Sequence, residues 1–144
     1  MTEFEIQTVL SNQLITAALY MFAFLFSTWF AGRCAVVTNE QGNANLVSKI
    51  LISAFALSSI YYVNYQVCFI DLYIAQYGHS LAVLQQSGVE LSGRALSAIE
   101  FTGGSASEVP QLSLIPANPI AIIFVLSITL ILMTGIWGGS SNND

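Results

Sequence analysis

Residues 120–137 read IAIIFVLSITLILMTGIW, a run without a single charged side chain. A helix of that length covers about 27 Å, close to the roughly 30 Å hydrocarbon core of a bilayer. Asn118 and Pro119 stand directly before the run, where an N-cap residue and a first helical residue are favoured. Gly138 and Gly139 follow it and are typical of a helix end. The stretch therefore predicts a transmembrane helix with defined ends.

Two further uncharged runs are long enough to cross a bilayer: LITAALYMFAFLFSTWFAG at 14–32 and ILISAFALSSIYYVNYQVCFI at 50–70. Asn45 is placed to cap the second helix, and Gly78 is placed to end it. That helix would run over residues 46–77 and measure about 48 Å at 1.5 Å per residue. We therefore expect it to be tilted or to project beyond the bilayer.

The composition supports lipid as part of the solvent. The chain has 144 residues, of which 55% are apolar and 8% charged, whereas an ordinary soluble domain has about 25% charged residues. We expect one membrane domain over residues 1–144. The net charge of −5 argues against nucleic acid as a partner, because phosphate binding needs a basic surface. Cys34 and Cys68 would lie far apart in an antiparallel helix pair, so both are expected to be free thiols that pack in the interior.

Residues 78–118 are predicted to form an extramembrane segment. Apolar residues recur at helical spacing within 81–101, which favours an amphipathic helix broken near Gly88 or Gly93. Glu90 and Arg94 would form an i,i+4 pair on that helix, and a short hairpin is the alternative. The predicted fold is an all-α integral membrane protein with three transmembrane helices and an amphipathic extramembrane helix between the second and the third.

The few cations indicate an orientation. Arg33 and Lys49 flank the first connection, whereas the longer connection has one cation among several carboxylates. The positive-inside rule places the Arg33–Lys49 loop in the cytoplasm of a bacterial inner membrane or its organellar equivalent. The N-terminus and the long connection would lie outside. Trp29 and Trp137 are expected near helix ends, at the membrane interfaces.

The second predicted span carries unusual polarity. Asn64, Cys68 and Asp71 follow at i, i+4 and i+7 and share one helix face. Asn64 lies inside the span, where an amide needs a partner on a neighbouring helix. Asp71 could serve a proton relay, but the other two spans offer no carboxylate, histidine or lysine at depth. An interfacial carboxylate is the favoured interpretation.

Aromatic residues recur every four positions along the same helix. Such a row could line a quinone or cofactor cleft, but it more often forms a packing ridge. Its members are Tyr61, Tyr65, Phe69, Tyr73 and Tyr77. The predicted helix-packing residues are Asn64, Cys68, Tyr61, Tyr65 and Tyr73. The small-residue pairs Ala31-xxx-Ala35 and Ala54-xxx-Ser58 also permit close helix approach.

His79 is the single histidine and is expected just past the end of the second helix, in a polar turn. One axial imidazole can hold a haem or a chlorophyll, although a hydrogen-bonding surface residue is the more usual role. His79 and Asp71 are therefore the candidate ligand or proton-site residues. The sequence shows no catalytic motif and no metal-ligand spacing, so we expect a protein that is not an enzyme, and we predict no cofactor for this chain alone.

These features favour a small non-catalytic accessory subunit that stabilises helix interfaces in a larger membrane complex. Its expected partners are other integral membrane subunits and lipid. A self-assembling, holin-like pore is one alternative. A cofactor-bearing electron-transfer subunit is the other.

Overall fold

The computed structural model describes residues 1–40 and 45–138, and within these residues it is helical without strands. Three of its helices are long enough and apolar enough to cross a membrane. The predicted all-helical class, with three long apolar helices and a shorter helix between the second and third, is confirmed. The helices are α1 (Glu3–Glu40), α2 (Leu46–Gln86), α3 (Gly93–Thr102) and α4 (Pro119–Trp137).

Helix α1 is twice as long as its uncharged run. It has 38 residues and measures about 57 Å at 1.5 Å per residue. A capping box fixes its start, because the Thr2 N–H donates to Glu5 Oε2 at 2.8 Å and the Glu5 N–H donates to Thr2 Oγ1 at 3.3 Å. The run at 14–32 is therefore only the middle of the helix. Trp29 lies inside α1 and not near its end, which corrects the expectation for this residue.

Helix α2 begins as predicted and ends later than predicted. Asn45 Oδ1 accepts the Ser48 N–H at 2.8 Å, as an N-cap does. The helix then continues through Gly78 to Gln86 and has 41 residues. It ends at a turn in which Gly88 adopts a φ of 86°, a conformation that glycine adopts without steric penalty. The prediction that Gly78 ends this helix is wrong, and residues 78–86 belong to α2.

Helix α3 is the second half of the predicted amphipathic segment, which breaks at Gly88 as expected. Ser92 Oγ accepts the Ala95 N–H at 3.3 Å at its start, and Gly103, with a φ of 64°, ends it. Glu90 precedes the helix, so Glu90 and Arg94 are not an i,i+4 pair on one helix.

Helix α4 agrees with its prediction in both ends. Asn118 Oδ1 accepts the Ile120 N–H at 2.9 Å, Pro119 is the first helical residue, and Gly138 is the C-cap. Gly139 and the polar residues after it lie outside the described residues, as does most of the connection between α1 and α2.

The chain divides into two compact units, here called the first and the second unit. The first unit comprises Met1–Leu19 and Val67–Ala117. The second unit comprises the described parts of Tyr20–Gln66 and Asn118–Asp144. Helices α1 and α2 therefore contribute to both units, α3 belongs to the first and α4 to the second.

Each unit has its own core. The core of the first unit is built from aliphatic side chains of α1, α2, α3 and the connection that precedes α3: Ile6, Leu81, Leu84, Leu91 and Ala95. The core of the second unit is built mainly from small residues: Ala31, Ala35, Ala56 and Ile136. Alanines at the contact allow helices to approach closely.

Candidate functional site

The polar residues of α2 that the sequence singled out contact one loop of the first unit, residues 103–117. Asp71 Oδ2 accepts the Ala117 N–H at 2.8 Å. Eight residues further along α2, His79 Nδ1 lies 2.6 Å from the Ser105 carbonyl oxygen. These two contacts are about 12 Å apart along the helix at 1.5 Å per residue. Together they hold both ends of the loop against α2.

Asp71 has a structural partner. Its carboxylate binds the backbone of Ala117, the residue directly before the N-cap of α4. A charged acceptor strengthens such a hydrogen bond. Asp71 also lines a cavity of about 220 Å³ with Cys68 and with Gln111 and Ser113 of the loop. The geometry supports the interpretation of Asp71 as an anchoring carboxylate, and its role in a proton relay stays a prediction.

His79 lies within α2 and is half-buried, so it does not occupy the predicted polar turn. A carbonyl oxygen can only accept, which means that Nδ1 carries the proton in the bond to Ser105. In the neutral ring, Nε2 then keeps its lone pair for a hydrogen bond or for coordination. The ring lines a cavity of about 270 Å³ that also has Ile6, Gln13 and Gln76 in its wall.

Gly78 explains why the loop reaches His79. A Cβ atom at this position would collide with the side chain of Thr102, and a Cβ atom at Gly104 would collide with the backbone of Gly78. The loop after α3 therefore lies directly on the backbone of α2. This close approach, and not a helix end, is the physical reason for glycine at position 78.

The aromatic row shows contacts within α2. The rings of Tyr61 and Tyr65 are stacked at 5.9 Å, and those of Phe69 and Tyr73 are tilted at 5.6 Å. Tyr77 packs against the core of the first unit. These contacts fit a packing ridge and do not test whether a neighbouring chain covers it.

Two features of helix packing in the second unit differ from the expected pattern. Ala31 and Ala35 are buried as expected, but Ala54 and Ser58 are exposed, and Ala56 faces the core instead. The second difference is a stacked aromatic pair outside the predicted row. The rings of Phe24 in α1 and Tyr62 in α2 have centroids 4.8 Å apart and an interplanar angle of 11°.

The remaining predicted packing residues, Cys68 and Asn64, differ in their burial. Cys68 is buried, with 2% of its surface exposed, and neither Cys68 nor Cys34 forms a disulfide, as expected. Asn64 is half-buried. The predicted hydrogen bond from Asn64 to a neighbouring helix stays a prediction.

The contact between Ser92 and Glu3 was not predicted from the sequence. The backbone N–H and the hydroxyl of Ser92 donate to the two carboxylate oxygens of Glu3, at 2.6 and 2.8 Å. A carboxylate at the start of α3 is also favoured by the helix dipole. Ser92 before an apolar run was a recognisable N-cap signal, but nothing local pointed to a partner 89 residues away.

Within residues 1–40 and 45–138, no group of three or more His, Cys, Asp and Glu side chains is arranged to hold a metal ion. Comparison with protein-family models, with curated proteins and with solved structures found no match for this chain.

Proposed function

We propose that this chain is a multi-pass integral membrane protein whose second unit lies in the bilayer. The helical segments of that unit are Tyr20–Glu40 and Leu46–Gln66, with 21 residues each, and Pro119–Trp137, with 19. Each measures about 28–32 Å at 1.5 Å per residue, the thickness of a hydrocarbon core. The first unit holds six of the eight acidic residues, which favours an aqueous location for it.

The orientation follows from two cations in the second unit. Arg33 and Lys49 both lie near the connection between α1 and α2, and the positive-inside rule favours the cytoplasm for that end. The Lys49 ammonium lies 5.8 Å from the centre of the Trp137 ring, a cation–π pair that suits a membrane interface. The membrane would be a bacterial inner membrane or its organellar equivalent.

Within that membrane, the chain serves as a small non-catalytic subunit of a larger assembly. The observation that carries this proposal is the exposure of large apolar side chains on the first unit, where lipid would not cover them. Phe101 is 86% exposed, Phe4 77% and Val109 72%. Exposed apolar surface of this kind is typical of protein–protein contacts. A neighbouring subunit would remove these side chains from water.

The three long helices also have much uncovered surface. In the most apolar window of each, only 17%, 22% and 11% of the residues are buried within the chain. Lipid or the transmembrane helices of neighbouring subunits would cover the rest. Because van der Waals contacts and interhelical hydrogen bonds drive association in lipid, the half-buried Asn64 is the residue that we expect to bond to a neighbour.

Purification from native membranes in a mild detergent tests this proposal. We expect the full-length chain to co-purify with larger, different membrane polypeptides, and Phe101→Ser or Asn64→Leu to weaken that association. Asn12→Ser is the matched control, because Asn12 is an exposed polar residue of the same first unit. A homo-oligomer that makes liposomes leak ions would support the holin-like pore instead. If the chain purifies without other polypeptides and Phe101→Ser does not change its behaviour, the subunit proposal is contradicted.

A second candidate, the cofactor-bearing electron-transfer subunit, is favoured by the anchored ring of His79. Nδ1 is held by the Ser105 carbonyl, and the imidazole lines a cavity of about 270 Å³. Ligating histidines are commonly oriented by such a bond to a carbonyl. A visible absorption band that His79→Ala removes and Ser80→Ala retains would support this function. A colourless complex would exclude a chromophoric cofactor.

A further inference from the structure

In the second unit, α1 and α4 leave an apolar groove of about 350 Å³ between them. Its walls include Val36 and Ile131, which are 44% and 69% exposed. The groove is therefore open along its length and accessible from the surroundings of the helices. Gly32 of α1 and Gly135 of α4 also line it.

The groove is open beside Gly135, where α4 has no side chain. A Cβ atom on Gly135 would meet no atom within 4 Å, so the space beside it is empty. A Cβ atom on Gly32 would lie 3.1 Å from Leu132 Cδ2. The side chain of Asn39 donates to the Gly135 carbonyl oxygen at 3.0 Å, which satisfies one of the unpaired carbonyls at the end of α4. This bond fixes α4 beside α1 and keeps the groove formed.

Among residues 1–40 and 45–138, the exposed Arg33 is the single charged residue that lines this groove. The nearest acidic residue along α1 is Glu40, about 10 Å further on at 1.5 Å per residue. Gly135, on the opposite wall, lies in the last turn of α4. Arg33 therefore lies among the apolar residues of the groove, about seven residues before the end of α1, and its long side chain can extend from there toward the lipid headgroups.

We propose that this groove binds one anionic phospholipid, with an acyl chain along its apolar walls and the phosphate on the guanidinium of Arg33. Apolar walls match a hydrocarbon chain, and a guanidinium binds a phosphate through paired hydrogen bonds. An apolar helix in the same groove would bury Arg33 without a counter-charge, which is unfavourable. The inference rests on the proposed membrane location of the second unit, but not on the partner subunits.

Native mass spectrometry of the full chain in detergent measures this directly. The probes are dioleoyl phosphatidylglycerol and dioleoyl phosphatidylcholine, which share their acyl chains and differ in net charge. We expect one phosphatidylglycerol per chain, bound about fivefold more tightly than phosphatidylcholine, as one arginine near an anionic headgroup would provide. Equal retention of the two lipids would overturn the proposal.

Variants separate the two parts of the site. Gly135→Leu fills the groove and should weaken the binding of both lipids, whereas Ala23→Leu adds the same side chain outside the groove and should change neither. Arg33→Gln should abolish the preference for phosphatidylglycerol, and Arg33→Lys should retain most of it. Unchanged lipid binding in Gly135→Leu would contradict the lipid site. A dimer of the unmodified chain that Gly135→Leu dissociates would also contradict it, because a second chain would then occupy the groove.

Alkaline carbonate extraction distinguishes the failure of this inference from that of the proposed location. If the second unit does not span the bilayer, carbonate releases the chain from membranes. If only the lipid site is wrong, the chain stays in the membrane pellet and shows no preference between the two lipids.

Discussion

At Gly78 the backbone of α2 is bare where Thr102 and Gly104 pack against it. Alanine has the better helix propensity, so in an open helix this exchange would stabilise the fold by about 0.5–1 kcal/mol. At Gly78 the added methyl group instead collides with the loop, and overpacking of this kind costs about 1–3 kcal/mol. We therefore expect Gly78→Ala to lower the free energy of unfolding.

The matched control for this substitution is Gly135→Ala, because the same methyl group there enters empty space within α4. Thermal unfolding in one detergent, followed by circular dichroism, compares the two variants. The expected result is a lower melting temperature for Gly78→Ala and an unchanged or higher one for Gly135→Ala. Equal effects would mean that Gly78 does not carry the close contact.

Ser92 couples the start of α3 to the start of α1 through Glu3. Ser92→Ala removes an N-cap, which typically costs about 1 kcal/mol, and leaves the Glu3 carboxylate without the hydroxyl. Ser97→Ala is the control, since its hydroxyl binds only the Gly93 carbonyl of its own helix. Denaturant unfolding should show a loss for Ser92→Ala and little change for Ser97→Ala. A double-mutant cycle with Glu3→Gln should reveal a coupling, and additive effects would contradict it.

At the residue level, contacts could be predicted from the sequence where both partners are close along the chain. Asn45 and Asn118 cap the helices that directly follow them, because an N-cap acts within three residues. The partners of Asp71, His79 and Glu3 could not be predicted in this way. Each contacts a residue at least 26 positions away, and a single sequence carries no record of such pairs.

At the scale of elements, α2 shows how packing overrides a local signal. Glycine is a frequent helix terminator, yet Gly78 lies inside the helix and the chain turns at Gly88, where φ is positive. The aromatic row and the uncharged run predicted the helix, but the run ends before the last third of α2, which packs one apolar face in the first unit. Leu81 and Leu84 of that face are buried beside Ile6 of α1.

Hydrogen exchange tests the extent of α2. Backbone amides of residues 79–86 form intrahelical hydrogen bonds in a continuous helix and should exchange slowly. Val89 and Glu90 lie in the exposed connection before α3 and serve as an internal comparison that should exchange fast. If residues 79–86 exchange as fast as this connection, α2 ends near Gly78 and the contact of His79 with Ser105 is not maintained.

At the scale of the whole molecule, the three long apolar helices were predictable because hydrophobic length is a property of contiguous sequence. The first unit was not, since its core joins the N-terminus to residues 81–95 and no local pattern specifies that pairing. Its exposed apolar side chains are the basis for proposing a partner. Phe101 is the largest of them in exposure, at 86%, and lies on the short helix α3.

Site-specific photocrosslinking at position 101, in membranes of the native host, tests the central claim that neighbouring subunits cover this chain. A photoreactive amino acid replaces Phe101, and Asn12, exposed on α1 of the same unit, is the comparison position. The account predicts a crosslink from position 101 to a larger, different membrane polypeptide, and little product from position 12. Crosslinks from position 101 to lipid alone, or only to further copies of this chain, would contradict it.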